Sequence, residues 1–110
     1  MNKSLISTAL LSAICMFASI GFCDTKAGEE IDGKKEFAEH CADCHPNGGN
    51  TVNAQKSLNM NSLKANGVNS TKDIIGKMRN PGEGMTAFDK KTVSDKEAKA
   101  IADYIMKTFK

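Results

Sequence analysis

Residues 39–50 read EHCADCHPNGGN and place two cysteines and a histidine within five consecutive positions. The pattern C-x-x-C-H, formed here by Cys41, Cys44 and His45, is the signature of covalent c-type haem attachment. On a helix, positions i, i+3 and i+4 project from neighbouring sites. The two sulfurs can therefore form thioethers with the two vinyl groups on one haem edge, while the imidazole reaches the iron. We predict one haem c bound through Cys41 and Cys44, with His45 as an iron ligand.

Two other interpretations of the motif are weaker. A thioredoxin-like dithiol is expected in a βαβ setting, and the chain has no segment with the alternating pattern of a strand. A zinc site needs four nitrogen or sulfur ligands. Cys23 or His40 could join the motif as the fourth ligand, but no second ligand pair stands at a usual spacing.

The second iron ligand is expected to be a methionine. His40, the other histidine, precedes the motif on the same side of the haem, so we expect a solvent-facing side chain near the haem edge. Met60 and Met106 fall in helical patterns typical of core residues. Met85 lies in a glycine-flanked loop that follows a helix stop, and we predict that it is the ligand; Met78 is the reserve candidate. Histidine and methionine together raise the reduction potential and leave no open coordination site, which indicates outer-sphere electron transfer and no enzyme activity.

The N-terminus has the pattern of an export signal. Lys3 precedes the apolar run LISTALLSAICMFASIG, and the next charge is Asp24. The run is short for a membrane span, which needs about 20 apolar residues. We therefore predict a signal peptide at residues 1–23 and a mature domain at residues 24–110. Removal of the leader lowers the net charge from +2 to +1, and this near-neutral, interspersed charge gives no indication of nucleic-acid binding.

The mature chain is predicted to be all-α, with about four helices and long loops. Apolar spacing and breakers place the helices near residues 31–44, 57–67, 70–80 and 94–109. The last two helices begin with capping signals, Ser70 with Asp73 and Ser94 with Glu97. The turn-rich segments 46–56 and 80–88 are expected to be loops.

These segments, in this order, resemble the class I cytochromes c, specifically their small mono-haem c6 and c553-like branch. The segment GKKEFAEHCADCH resembles the first helix of that family, and NGGNTVNAQKSL resembles the glycine-rich stretch after its haem motif. The segment MRNPGEGMTAF resembles the methionine loop, with Thr86 where a proline is usual. The segment DKEAKAIADYIMKTF resembles the C-terminal helix, with Tyr104 at the aromatic position that packs near Gly33 and Phe37.

The resemblance implies that residues 24–110 form a cytochrome c domain with the cytochrome c fold around one covalent haem. It also implies a mono-haem electron carrier in the bacterial cell envelope. It implies transient redox protein partners, for which interfaces are small and weak, and a monomer. We expect a periplasmic protein. Cleavage is expected either after Gly21 or after Cys23. An alternative is a lipid anchor on Cys23, although Phe22 stands where a lipobox has a small residue.

Overall fold

A computed structural model describes residues 28–110 of the chain. Within this range the structure contains α-helices and no strand, with the helices α1 (Gly33–His40), α2 (Met60–Ala65), α3 (Thr71–Arg79) and α4 (Asp95–Thr108). Two short 3-10 turns, Pro46–Gly48 and Ala54–Lys56, lie between α1 and α2. The predicted all-α fold with four helices and long loops is confirmed. The predicted signal peptide lies outside the described residues, where it stays a prediction.

The capping signals of the two later helices are confirmed. The Ser94 hydroxyl accepts a hydrogen bond from the Glu97 backbone N–H, and the Glu97 carboxylate accepts one from the Ser94 N–H at 2.6 Å. At α3 the Ser70 hydroxyl likewise accepts from the Asp73 N–H. Such caps satisfy the backbone donors that a helix leaves unpaired at its first turn, so both helix starts are encoded locally.

Helix α4 forms the centre of the fold and packs against both α1 and α3. The apolar spacing of this helix predicts a stripe of Ala98, Ile101, Ala102, Ile105 and Phe109. The first four are buried, whereas Phe109 follows the end of α4 as its C-cap and is half-buried. At the crossing with α1, a Cβ at Gly33 would collide with the Ala100 carbonyl, so the two backbones approach closely. The ring of Tyr104 lies 5.4 Å from that of Phe37, which confirms the predicted aromatic contact.

The first helix is shorter than the sequence indicated, because the predicted helix over 31–44 ends at His40. The backbone N–H groups of Cys41 and Ala42 both donate to the Phe37 carbonyl, and Cys41 leaves helical geometry with φ −124°. A separate turn follows, in which His45 N–H donates to the Cys41 carbonyl at 2.9 Å. The motif therefore occupies this turn and not the helix itself.

The predicted helix over 57–67 is also shorter, since α2 begins at Met60. The Asn59 side chain accepts a hydrogen bond from the Ser62 N–H and so caps the helix. Asn59 adopts an extended backbone with ψ 153°, so Leu58 precedes the helix. None of the helices among residues 28–110 has the length and apolar character that crossing a membrane would require.

Candidate haem site

His45 is buried, with 8% of its surface exposed, and its ring is fixed by one short hydrogen bond. Its Nδ1 lies 2.7 Å from the Gly49 carbonyl oxygen, so Nδ1 carries the proton and donates. A metal-binding histidine is commonly oriented in this way through its second nitrogen. Among the described residues no fully buried side-chain nitrogen or oxygen lacks a partner. The Nε2 atom makes no hydrogen bond to the described residues and is not fully buried, so it is the ring nitrogen left for a metal.

The sequence did not lead us to predict the Gly49 carbonyl as the acceptor for His45. The turn that supplies it contains Asn47 with a left-handed backbone at φ 53°. This turn is closed by hydrogen bonds from Gly48 N–H to the His45 carbonyl and from Gly49 N–H to the Pro46 carbonyl. Asparagine and glycine tolerate such backbone geometry, so the sequence Asn-Gly-Gly at 47–49 was the available signal for this turn.

The two cysteines lie beside His45 and are not joined to each other. Cys41 is half-buried and Cys44 is exposed, and both have free sulfur atoms. Burial raises the pKa of the Cys41 thiol to about 11. Redox dithiols instead depend on a thiol whose pKa is lowered. The turn therefore does not favour the thioredoxin-like interpretation, and its two free thiols beside an oriented imidazole fit covalent haem attachment.

The zinc interpretation gains no support from the described residues. The side chains whose ligand atoms come within 4.8 Å of one another are Glu36, Glu39 and His40, a group on one face of α1 that contains neither cysteine. Four nitrogen or sulfur ligands are the usual requirement of a structural zinc site. Among residues 28–110 the ligand atoms of the motif therefore do not converge as a zinc site requires, and Cys23 lies outside this range.

The expectation that His40 faces solvent is wrong. Its side chain is only 19% exposed, with Nε2 3.6 Å from a Glu36 carboxylate oxygen. Its ring meets the ring of Phe88 edge to face, with centroids 6.1 Å apart. The physical reason is tertiary, because the chain after α3 returns to cover this end of α1.

Two loops that are distant in sequence meet at the site. The Asn50 side-chain oxygen accepts hydrogen bonds from the N–H groups of Val52 and Asn53, and its amide donates to the Lys56 carbonyl. These hydrogen bonds hold the turn that contains Val52, which is 64% exposed. A Cβ at Gly84 would lie 3.0 Å from Val52 Cγ1. The loop after the motif therefore touches the loop that carries Met85.

The two candidate methionine ligands have different surroundings. Met85 is half-buried in the irregular segment between α3 and α4, next to Gly84. Met78 is 4% exposed and belongs to the hydrophobic core with Ile74 and Ile101. Met78 is therefore packed among core side chains, whereas Met85 lies outside the buried core.

Comparisons with known proteins identify relatives of the whole described domain. Residues 28–105 match the family described as cytochrome c oxidase, cbb3-type, subunit III. Cytochrome c6 of Cyanidioschyzon merolae is 33% identical over 94% of this chain and 92% of its own length. The structure of the outer membrane cytochrome OmcF of Geobacter sulfurreducens is similar with a TM-score of 0.69 and 41% identity, over 71% of this chain and 99% of that chain. Cytochrome c6 of the diatom Phaeodactylum tricornutum gives a TM-score of 0.64 and 30% identity, over 72% and 92% of the two chains.

The fold, the C-x-x-C-H turn and these relatives define a class I c-type cytochrome, and the chain belongs to the c6 and c553-like branch of that family. Its cofactor is one covalently bound haem c, and Cys41 and Cys44 stand in the attachment motif. The protein is a mono-haem electron carrier.

Proposed function

We propose that the iron is held between His45 and Met85 and that the protein carries single electrons between partners in the cell envelope. The observation that carries the proposal is the buried His45, whose Nδ1 is bonded to the Gly49 carbonyl and whose Nε2 is left for iron. Support for Met85 comes from its half-buried place in a loop whose Gly84 adjoins Val52. The core position of Met78 makes it the weaker candidate.

The haem supplies an iron that gains and loses one electron without changing its ligands. The protein supplies orientation, since the Gly49 carbonyl holds the His45 ring in one tautomer and one plane. Cys41 and Cys44 would fix the haem edge through thioether bonds. His45 and Met85 would hold the iron, a ligand pair that raises the reduction potential and leaves no open coordination site. No substrate site is then needed, and we propose that the protein is not an enzyme.

The partners are proposed to be redox proteins that bind transiently and exchange one electron. The related proteins named cytochrome c6 support this role. For the cell envelope, support comes from the export pattern before Asp24 and from OmcF, which is named an outer membrane cytochrome. We favour a periplasmic form produced by cleavage of residues 1–23, with a lipid anchor on Cys23 as the alternative. The intact mass of the exported protein distinguishes these forms and counts the haem.

Replacement of Met85 with alanine tests the ligand assignment. We expect the sulfur–iron absorption band of the ferric protein to disappear and the reduction potential to fall, because the methionine ligand raises it. Met106→Ala is the matched control, since Met106 packs against the core on α4, and this variant should keep the band. Met78→Ala should also keep the band while lowering stability. A band that survives in Met85→Ala and is lost in Met78→Ala would assign the ligand to Met78 instead.

A further inference from the structure

Arg79 is the only arginine in the chain and ends α3, six residues before Met85. Its side chain is one-fifth exposed and reaches across the loop that follows. Nη1 donates to the carbonyls of Phe88 at 3.0 Å, Asp89 at 3.2 Å and Val93 at 2.8 Å, and Nη2 donates to the Asp95 carboxylate at 3.0 Å. One side chain therefore joins the end of α3, the far end of the methionine loop and the start of α4.

The same loop is closed by one backbone bond. Phe88 N–H donates to the Met78 carbonyl at 2.8 Å, so residues 79–87 form a loop whose two ends meet. Within it, Met85 N–H makes only a long bond to the Gly82 carbonyl, at 3.4 Å. No proline follows Met85 to fix the backbone, since Thr86 stands there. The loop is therefore held at its base, and its tip has little support of its own.

We propose that Arg79 is a positioning residue that keeps the methionine loop closed and so sets how readily Met85 leaves the iron. The inference rests on the proposed ligation by Met85. A planar guanidinium suits this task, because its donors lie in a fixed fork and can serve several acceptors at once. Its bonds to Phe88 and Val93 are partly buried, so water competes with them only weakly. Hydrogen bonds from a charged group are stronger than neutral ones.

The expected change in ligand affinity follows from the fraction of molecules in which the methionine loop is open. An external ligand such as imidazole binds iron only when the loop has opened, so its apparent Kd equals the intrinsic Kd divided by the open fraction. Loss of bonds from a charged donor should raise the open fraction at least roughly tenfold. In ferric Arg79→Gln the apparent Kd for imidazole should therefore fall by about tenfold, as followed by loss of the sulfur–iron band. The Phe88 amide should exchange with solvent faster by a similar factor.

The matched control is Lys90→Gln. Lys90 also binds the Asp95 carboxylate, at 2.9 Å, but it is 72% exposed and makes no bond to the loop carbonyls. The Lys90→Gln substitution should leave the imidazole affinity unchanged. Arg79→Lys keeps the charge without the fork, so its affinity should lie between those of the unmodified protein and Arg79→Gln. If Arg79→Gln does not fold, the apparent Kd for imidazole of Arg79→Lys is compared with that of Lys90→Gln instead.

Two results would overturn the proposal. One is an unchanged apparent Kd for imidazole in the Arg79 variants. The other is an equal change in Lys90→Gln, which would assign the effect to charge alone. Failure of the ligand assignment looks different, because the band would then survive in Met85→Ala whatever stands at position 79. The unfolding free energy of each variant, measured in denaturant, separates loop opening from global unfolding.

Discussion

Gly48 lies in the turn that orients His45, and its replacement with alanine should be costly for two separate reasons. Its backbone has φ +80°, a conformation that costs a residue with a Cβ about 1–2 kcal/mol. The new Cβ would also lie 2.5 Å from Phe109 Cδ1 and 2.6 Å from Cγ. Forcing extra volume into a packed site typically costs about 1–3 kcal/mol. We expect Gly48→Ala to lower the free energy of unfolding by roughly 2–5 kcal/mol in total.

Two other glycines separate these contributions within the same protein. Gly67 has φ +74° but open space around its Cα, so Gly67→Ala should cost only the backbone part, about 1–2 kcal/mol. Gly76 lies inside α3 in open space, and Gly76→Ala should stabilise the protein by about 0.5–1 kcal/mol. The assay is denaturant unfolding of the haem-loaded protein, followed by helical circular dichroism.

The contact with Phe109 is tested by a double-mutant cycle. In a Phe109→Ala background the ring is gone, so Gly48→Ala should cost only the backbone contribution, about 1–2 kcal/mol. The difference between the two backgrounds measures the clash. The reasoning is refuted if Gly48→Ala costs no more than Gly67→Ala, or if its cost is the same with and without the Phe109 ring.

Two further predictions concern the helix crossing and acid stability. Gly33→Ala should lower the free energy of unfolding by about 1–3 kcal/mol, because the added Cβ meets the rigid Ala100 carbonyl. Thermal melting measures this loss. An unchanged transition temperature would contradict the close approach of α1 and α4. Backbone N–H groups lower the pKa of Asp89 and Glu97, and hydrogen bonds from Lys90 and Arg79 lower that of Asp95. Since a lowered pKa in the folded state stabilises the protein above the unfolded value and is lost as pH falls, the melting temperature should decrease as pH drops below about 4.5, the ordinary value for Glu97. Glu97→Gln should flatten that decrease, and an equally steep decrease in this variant would exclude its carboxylate as a contributor.

The sequence by itself determined the features that depend on neighbouring residues. The C-x-x-C-H spacing indicated the cofactor, and the capping pairs at Ser70 and Ser94 located two helix starts. The apolar spacing of α4 predicted four residues that are buried, Ala98, Ile101, Ala102 and Ile105. These features follow from helical periodicity and from hydrogen bonds that span three or four residues, so a linear pattern contains them.

Only the tertiary structure decided the contacts around those features. Two local contacts also became visible only in the folded turn: the bonds to the Phe37 carbonyl that end α1, and the bond from His45 to the Gly49 carbonyl across the left-handed Asn47. His40 is covered because Phe88, far along the chain, packs against it. The bonds of Arg79 span nine to sixteen residues. The contacts of His40 and Arg79 are set by how α4 brings α1 and α3 together, and no local periodicity specifies which backbone carbonyl a side chain will meet.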